Sequence, residues 1–314
     1  TDMIDALGDK LRVREMAAAA GVPLVPGSGE MASAADALRL ARDVGYPVLL
    51  KAAAGGGGRG MVIVNGPDEI EAGFNRAHAE ALTAFNDGTL FMERFVPLAR
   101  HVEVQLVGDG KGEVIHFGER DCSVQRRYQK VIEEAPCVAM PGKLRKELHA
   151  AAVNLAKSVS YRNAGTCEFL YDVLRGEVYF IEVNARIQVE HPVSEMVTGR
   201  DLVQEQLRIA GGEGLSVEQQ DVVLTGHAIE CRINAEDTTR DFVPVPGTVT
   251  RWAPPEGEGI RLDSHITEGA VIPPFYDSMI GKLIVHADTR EKAIAKMAEA
   301  LDEFTVEGVP TTIP

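Results

Sequence analysis

The densest set of chemically capable side chains alternates with apolar residues along one short stretch of the chain. It presents a carboxylate, a carboxamide, a guanidinium, a second carboxamide and a second carboxylate at Glu182, Asn184, Arg186, Gln188 and Glu190. Arginine can hold a small oxyanion through paired hydrogen bonds, and a nearby carboxylate can remove its proton as a general base. We therefore predict an anion site with Arg186 as the cation and Glu190 as the base. A buried ion pair between the two is the alternative.

Two carboxylates are expected to face each other across a β-hairpin. Residues 165–173 and 180–184 have strand periodicity, and a short polar turn joins them. If the turn comprises residues 174–176, counting outward places Glu168 directly opposite Glu182. The other face of the hairpin is apolar and is expected to meet the core with Phe169, Tyr171, Tyr179, Ile181 and Val183.

Like charges directly opposite each other destabilise a hairpin, so a compensating charge is expected beside Glu168 and Glu182. A divalent cation is the simplest candidate, because Mg²⁺ takes carboxylate, water and phosphate oxygens as ligands. Asn184 follows on the same face and completes the predicted metal site. The alternative is a solvated outer face on which the two glutamates have no role.

A glycine-rich segment, residues 54–60, follows a strand that ends at Lys51 or soon after it. The segment lacks the Gly-Lys-Ser/Thr ending of a P-loop. It also leads into a strand, where a dinucleotide-binding fingerprint would open a helix. Consecutive glycines let a backbone approach an anion closely or let a flap close. We predict a phosphate-binding loop assisted by Lys51, and a plain flexible hairpin tip is the alternative.

A polar segment at residues 125–134 concentrates positive charge in an acidic chain. We expect a loop whose Arg126, Arg127 and Lys130 supply cations to an anionic substrate. The alternative is pairing with neighbouring acids, because surface charges commonly pair with one another.

The bulk composition excludes some classes of function. The chain has 314 residues, a net charge of −15 and a pI near 5, so a general nucleic-acid binder is not expected. No apolar run is long enough to span a bilayer. The four cysteines lack metal-type spacing and are expected to be reduced, in a cytosolic protein. The chain starts without methionine and stops in a connection, which suggests a piece of a longer polypeptide.

Two kinds of architecture are expected along the chain. Residues 22–95 alternate helices and strands as a small α/β module, and the remainder has the pattern of an α+β body on an antiparallel sheet. One helix is expected from about residue 194 to residue 210.

Several motifs occur in an order that resembles biotin carboxylase, the ATP-grasp subunit or domain of biotin-dependent carboxylases. The matching segments span essentially the whole chain and are residues 8–10, 21–27, 51–61, 92–94, 100–105, 119–127, 129–136, 168–170, 180–192, 230–237 and 276–282. The continuation at residues 192–199 is more similar to the acetyl- or acyl-CoA carboxylase type than to the pyruvate carboxylase type.

The resemblance implies an α+β, ATP-grasp fold with a small mobile α/β lid, followed by the biotin carboxylase C-terminal region. Residues 1–21 would be a linker helix from a missing N-terminal domain, and residues 22–95 would be the lid. Residues 96–210 would be the catalytic core, and residues 211–314 a truncated C-terminal region.

The resemblance also implies roles for individual residues. ATP would contact Lys10, Lys51, Gly56, Gly57, Gly58, Glu93, Val96, His101, Gln125 and Leu170. Mg²⁺ or Mn²⁺ would be carried by Glu168, Glu182 and Asn184, the trio that the hairpin argument selects. Bicarbonate and biotin would contact Lys130, Arg186, Gln188, Val189 and Arg232. The catalytic groups would be Glu190, Arg186, Arg232 and Lys130.

The implied activity is that of an ATP-dependent carbon–nitrogen ligase that carboxylates biotin on a carrier protein. Glu190 would deprotonate bicarbonate, whose attack on the γ-phosphoryl group of ATP would give carboxyphosphate. Arg232 would stabilise the biotin enolate. The implied partners are a biotin carboxyl carrier and a carboxyltransferase, with a homodimer for the complete protein. The alternatives are an ATP-grasp ligase with another acceptor, such as a carbamoyl-phosphate-type enzyme, and a non-catalytic module of a larger carboxylase.

Three positions depart from the family pattern. Tyr128 stands where histidine is common, Arg94 where lysine is common, and Ala185 where threonine, proline or serine is usual. Tyr128 and Arg94 would lie near the nucleotide, which predicts a changed affinity for ATP.

Overall fold

The computed structural model describes residues 7, 10–54 and 60–314, without the side chains of residues 10 and 11. Its helices are α1 (Lys10–Ala19), α2 (Ala34–Val44), α3 (Ile70–Phe85), α4 (Gly142–Ser158), α5 (His191–Thr198), α6 (Leu202–Gly211) and α7 (Arg290–Glu303). The first nine strands are β1 (Gly27–Met31), β2 (Val48–Ala52), β3 (Met61–Val64), β4 (Leu90–Arg94), β5 (Ala99–Asp109), β6 (Val114–Arg126), β7 (Gln129–Ala135), β8 (Arg162–Asp172) and β9 (Glu177–Asn184). The remaining strands are β10 (His227–Asn234), β11 (Glu236–Asp237), β12 (Val243–Pro244), β13 (Gly247–Thr248), β14 (Arg251–Ala253), β15 (Ile260–Asp263), β16 (Val271–Ile272), β17 (Met279–Ala287) and β18 (Thr305–Glu307). Within the described residues, no helix is long and apolar enough to cross a membrane.

A four-stranded sheet holds the strands on either side of the glycine-rich segment. Its order is β1–β4–β2–β3, and the paired strands are antiparallel. Helices α2 and α3 pack on it around an apolar core that includes Leu50, Phe74 and Met92. Ser33 starts α2 by accepting a hydrogen bond from the backbone N–H of Asp36 at 3.2 Å, as expected of a serine before a helical pattern.

An eight-stranded antiparallel sheet forms the body of the molecule. Its order is β15–β17–β10–β7–β6–β5–β8–β9. Helices α1 and α4 contribute to the core around Phe169 and Phe180. Because β5, β7, β8 and β10 lie near one another in this sheet, residues distant in sequence are brought together on rigid strands.

The β8–β9 hairpin brings the two predicted carboxylates together by an unexpected route. Its turn has four residues, 173–176, because Asp172 pairs with Glu177. The sequence had predicted three turn residues, and that prediction is wrong. A shift later in the ladder compensates for the difference, and Glu168 still pairs with Glu182.

The compensating shift is a β-bulge at Ile181, which has no cross-strand partner in the described β8–β9 ladder. The bulge changes which side chains meet the main core. Phe180 packs there with Phe169 and Tyr171, although strict alternation from Ile181 would place it on the opposite face of the hairpin. Tyr179 packs in a separate small cluster, and Ile181 lines a cavity. The predicted position in the core is therefore wrong for Ile181, whereas Tyr179 is buried as predicted but in this separate cluster.

Residues 125–134 form most of a second hairpin, so the predicted loop is wrong. Arg126 at the end of β6 pairs with Gln129 at the start of β7. The two turn residues between them, Arg127 and Tyr128, have φ of 50° and 67°. Two successive left-handed residues match the twist of a tight type I′ hairpin. The usual sequence signal for this turn is Asn-Gly, which this chain lacks here.

The single helix predicted over residues 194–210 is two helices. Gly199 ends α5 in the left-handed region at φ 64°, and its N–H donates to the carbonyl of Glu195 at 2.8 Å. Asp201 then starts α6 by accepting from the N–H of Gln204 at 2.8 Å. Glycine is favoured at a helix end because the left-handed conformation costs it little.

Candidate active site

A cavity of about 580 Å³ is lined by side chains from both large sheets. The predicted site residues on its wall are Lys51, Glu93, Val96, His101, Gln125, Lys130, Glu168, Leu170, Glu182, Asn184, Arg186, Gln188, Val189, Glu190 and Arg232. The other predicted contacts lie outside the described residues and are the side chain of Lys10 and Gly56, Gly57 and Gly58. The two departures from the family pattern that were expected near the nucleotide, Arg94 and Tyr128, also line the cavity.

The predicted base lies between two of the predicted catalytic cations. Glu190 is the residue directly before α5 and is buried. Lys130 of β7 donates to its Oε1, and Nη2 of Arg232 on β10 donates to its Oε2 at 3.0 Å. Arg232 also donates through Nε to Glu133 at 2.7 Å. This arrangement puts a proton acceptor beside cations that can hold an anion.

A fully buried arginine supports this group from within the sheet. Arg120 donates through Nε to Glu103 at 2.7 Å, and Lys130 donates to the other oxygen of Glu103. Burial would raise the pKa of Glu103, but Arg120 and Lys130 outweigh it and hold that pKa well below its usual range. The remaining donors of Arg120 reach four polar side chains, Gln105, Ser194, Thr166 and Gln188.

The predicted metal residues form an oxygen-rich face of the cavity. Oε1 of Glu168 accepts hydrogen bonds from Asn184 at 2.8 Å and from Gln188 at 2.9 Å. Glu182 is paired with Glu168 across the strands. His101 reaches the same group, with Nε2 at 3.1 Å from Oε2 of Glu168. Carboxylate and carboxamide oxygens are the donors that Mg²⁺ and Mn²⁺ prefer, so these residues fit such an ion.

The other end of the cavity combines charge with an apolar wall. Glu93 is buried between two cations, Arg14 and Lys51, and the Lys51 ammonium lies 2.9 Å from its Oε2. Val96 and Leu170 belong to one apolar cluster and also face the cavity. This end therefore offers both a cation and an apolar surface, which suits a phosphate-bearing ligand with a flat ring.

The cations of the polar 125–134 segment divide between two roles. Arg126 and Arg127 pair with Asp241, the latter at 2.6 Å. Lys130 instead faces the cavity and contacts Glu190. The expectation that all three serve a substrate is therefore wrong for the two arginines, which make a surface contact.

Arg186 lines the cavity but remains exposed. Its guanidinium donates to the carbonyl of Ile187 at 3.2 Å and to Asn184 at 3.5 Å. Among the described ion pairs, Glu190 contacts Lys130 and Arg232 instead of Arg186. The alternative of a buried Arg186–Glu190 pair is therefore not what the structure shows.

Several residues of the site were not singled out from the sequence. They are Glu103, Arg120 and Glu133, together with Lys282, whose Nζ donates to the carbonyl of Val189 at 2.8 Å. All lie inside the motif segments that carry the family resemblance, and that was the signal available in the sequence. Their charged side chains lie on strand faces that composition alone would predict to be exposed to solvent.

Glu134, His227 and Arg290 form a hydrogen-bonded triad that makes the stability of the fold depend on pH. Glu134 lies 2.8 Å from Nε2 of His227 and accepts from Nε of Arg290 at 2.6 Å. Burial would raise the pKa of Glu134, but the hydrogen bonds from His227 and Arg290 outweigh it and lower the pKa to about 2. Because this pKa lies below the ordinary 4.5, the ionised group stabilises the fold above pH 4.5, and the gain is lost as pH falls toward 2.

We therefore expect Glu134→Gln to flatten the dependence of stability on pH. Between pH 6 and pH 3, the free energy of unfolding, measured with urea, should fall less for this variant than for the parent, because the variant lacks the carboxylate that takes up a proton on unfolding. The exposed Glu147, whose contact with Lys143 is 3.7 Å, provides the control, and Glu147→Gln should follow the parent. Parallel curves for Glu134→Gln and the parent would contradict the role of the triad.

Two family models cover most of the chain. Residues 9–218 match the model described as "Carbamoyl-phosphate synthase L chain, ATP binding domain". Residues 230–314 match the model described as "Biotin carboxylase C-terminal domain". The second model begins within β10, the strand that carries Arg232.

Curated relatives named biotin carboxylase match over nearly the full chain. A chloroplastic protein of Populus trichocarpa is 52% identical over 99% of this chain, and this chain spans 59% of that protein's length. Biotin carboxylase 1 of Bacillus subtilis is 49% identical over 100% of this chain and 70% of its own length. The protein of Pseudomonas aeruginosa is 51% identical over 99% of this chain and 69% of its own length.

Solved structures give the same result. The biotin carboxylase domain dimer of Hydrogenobacter thermophilus 2-oxoglutarate carboxylase, in complex with MgADP, ADP and bicarbonate, is similar with a TM-score of 0.95 and 47% identity. The alignment covers 100% of this chain and 69% of the Hydrogenobacter domain. Biotin carboxylase of Campylobacter jejuni has a TM-score of 0.94 and 48% identity, with 99% of this chain and 69% of that one covered. The expected α+β, ATP-grasp fold is confirmed, and the chain belongs to the biotin carboxylase family.

Proposed function

We propose that this chain carries out the ATP-dependent carboxylation of biotin by bicarbonate, with biotin presented on a carrier protein. The observation that carries the proposal is the position of Glu190 between Lys130 and Arg232 on the cavity wall. Bicarbonate is a poor nucleophile until it loses its proton. A carboxylate base flanked by two cations can bind this anion and deprotonate it in one place.

The reaction proceeds in two steps. Deprotonated bicarbonate attacks the γ-phosphoryl group of ATP. The bond between the γ-phosphorus and the oxygen that bridges to the β-phosphate breaks, and carboxyphosphate and ADP form. Carboxyphosphate then breaks down to carbon dioxide and phosphate, and the phosphate removes the proton from the ureido nitrogen of biotin. Arg232 holds the biotin oxygen that gains negative charge, and the nitrogen attacks carbon dioxide. Water must be excluded from the site because it would hydrolyse carboxyphosphate.

The nucleotide and the metal would use the remaining residues of the cavity. Lys51 and Lys10 would contact phosphates, with Glu93, Val96, His101, Gln125 and Leu170 beside the adenosine and Gly56, Gly57 and Gly58 over the triphosphate. Glu168, Glu182 and Asn184 would hold Mg²⁺ or Mn²⁺, which would neutralise phosphate charge. Arg186, Gln188 and Val189 would complete the bicarbonate site. The small sheet would act as a lid, with residues 22–95 as its extent.

Within the biotin carboxylase family, this chain would belong to the acyl-CoA carboxylase type. This assignment is supported by the motif at residues 192–199, whereas the similar structures include a domain of a 2-oxoglutarate carboxylase. A biotin carboxyl carrier and a carboxyltransferase would then be the partners, and the dimer of the Hydrogenobacter domain supports a homodimer for the complete protein. All four cysteines are free and buried, which supports a reducing compartment such as the cytosol.

A second candidate is an ATP-grasp ligase with another acceptor. The name of the family model over residues 9–218 favours a carbamoyl-phosphate-type reaction. Arg232 argues for biotin instead, because it belongs to the segment that matches the biotin carboxylase C-terminal model. Its position beside Glu190 joins the two segments in one site.

Phosphate release from Mg-ATP tests the proposal directly. We expect release that requires bicarbonate and rises with free biotin, and avidin should remove the biotin effect. Ammonium in place of biotin should have no effect. Stimulation by ammonium would favour the carbamoyl-phosphate-type reaction, and release independent of bicarbonate would contradict both.

A further inference from the structure

Two glutamates that the proposed chemistry does not use face each other at the centre of the large sheet. Glu230 on β10 pairs directly with Glu133 on β7. Each is fully buried, with no exposed surface. Side chains directly opposite in antiparallel strands lie about 4.5–5.5 Å apart at Cβ, so the two carboxyl groups are neighbours.

Three of the four oxygens in this pair lack a visible partner. Oε1 of Glu133 accepts from Arg232 at 2.7 Å. Within the described part of the chain, Oε2 of Glu133 and both oxygens of Glu230 have no hydrogen-bond donor. A buried ionised carboxylate without donors is strongly disfavoured, and so are two such charges side by side.

The cations around Glu230 are committed to other groups. Lys282 on the neighbouring strand β17 donates to the carbonyl of Val189 at 2.8 Å and lies 3.4 Å from Asp263. Arg232 on the same strand as Glu230 contacts Glu133 and Glu190. Glu190, before α5, adds a further negative charge to the group. Among the described ion pairs, none includes Glu230.

A single proton accounts for two of the three donor-free oxygens. We propose that Glu230 is a neutral carboxylic acid that donates its O–H to Oε2 of Glu133, and that this bond fixes Glu133 as the acceptor aligning Arg232 with Glu190. The proton satisfies a donor-free oxygen on each residue and removes one of two adjacent charges. Burial, then the neighbouring Glu133, raises the pKa of Glu230 well above its ordinary value, in agreement with this geometry.

Glu230 is thus a positioning residue for the reaction proposed above, and this part of the inference rests on the proposed function. The chain of contacts runs from Glu230 through Glu133 and Arg232 to Glu190. Loss of the proton would add a negative charge beside Arg232 and draw its guanidinium away from Glu190. Loss of the side chain would leave Oε2 of Glu133 buried without a donor.

Infrared difference spectroscopy of the whole protein tests the proton without requiring activity. We expect a C=O stretch of a protonated carboxylic acid at pH 7 in the parent, lost in Glu230→Gln. Glu205 provides a matched control, because it is a buried glutamate that accepts from the N–H and hydroxyl of Ser216. Glu205→Gln should keep the band. Persistence of the band in Glu230→Gln would overturn the proposal.

Kinetics test the positioning role. We expect Glu230→Ala to lower kcat for bicarbonate-dependent phosphate release by about tenfold, with little change in KM for ATP, because an unsatisfied buried acceptor disturbs Arg232. Glu230→Gln should recover most of this loss below pH 7 and stay active to higher pH than the parent, since its amide donates but cannot ionise.

The two readouts separate the possible failures. A Glu230→Gln variant as slow as Glu230→Ala would overturn the positioning role, even if Glu230→Ala proves poorly folded. A parent protein without bicarbonate-dependent release would contradict the proposed function, and the infrared comparison would still decide whether Glu230 carries the proton.

Discussion

The Glu190→Gln variant should lose bicarbonate-dependent ATP cleavage by about 10²–10⁴-fold, the usual contribution of a general base. Glutamine has nearly the same shape but cannot accept the proton of bicarbonate. The cavity wall that would meet the nucleotide does not depend on Glu190, because Lys51 and Glu93 pair with each other at the other end. Steady-state phosphate release and equilibrium titration with a fluorescent ATP analogue would measure the two properties separately.

Glu205→Gln again serves as the control for Glu190→Gln, because Glu205 is buried in α6 and does not line the cavity. It should retain both turnover and nucleotide binding. Full turnover in Glu190→Gln would remove Glu190 as the base. Loss of nucleotide binding together with turnover would instead show that Glu190 holds the fold of the site.

The Arg120→Met variant should be destabilised by about 3–5 kcal/mol, the usual effect of removing one partner of a buried ion pair. Arg120 and Glu103 are both completely buried, and the arginine also donates to four other polar side chains. Methionine keeps much of the volume but leaves Glu103 with Lys130 and the more distant His101 as its charged partners. Urea unfolding followed by circular dichroism would measure the change in free energy.

An exposed ion pair gives the comparison for Arg120→Met. Arg251 lies 3.4 Å from Glu307, and both side chains are 56% exposed. Arg251→Met should change stability by less than about 1 kcal/mol, because water screens the pair. If Arg120→Met were no more destabilised than Arg251→Met, the buried network would not be holding the sheet together.

The prediction that Glu168 faces Glu182 is confirmed, although the turn length from which it was counted is wrong. Residue alternation placed Glu168 opposite Glu182, and the structure has that pair. The turn is one residue longer than expected, and the bulge at Ile181 restores the register. Hydrophobic alternation could not reveal this bulge, because residues 178–181 are all apolar and hide the change of face.

The buried charges of the large sheet were harder to foresee. Glu103, Arg120 and Glu133 lie on strands, yet residue alternation and composition offer no sign that their charged faces are covered. Burial of a charge depends on a partner from a distant strand, and such partners are known only once the strand order is known. The turn at Arg127 and Tyr128 was missed for a local reason, since neither residue is typical of a type I′ turn.

The strand order has a consequence for how this protein is made. Residues 99–184 supply five adjacent strands, β7–β6–β5–β8–β9, whereas β10, β17 and β15 add later and on the β7 side. On the ribosome, β7 is thus an open edge until β10 emerges, and open edges pair readily with other chains. The finished sheet ends instead at β15, a short strand of four residues that carries Arg261 and Asp263. Strands β10, β17 and β15 therefore cover the edge that β7 would otherwise expose, and β10 brings Arg232 to the site in the same step.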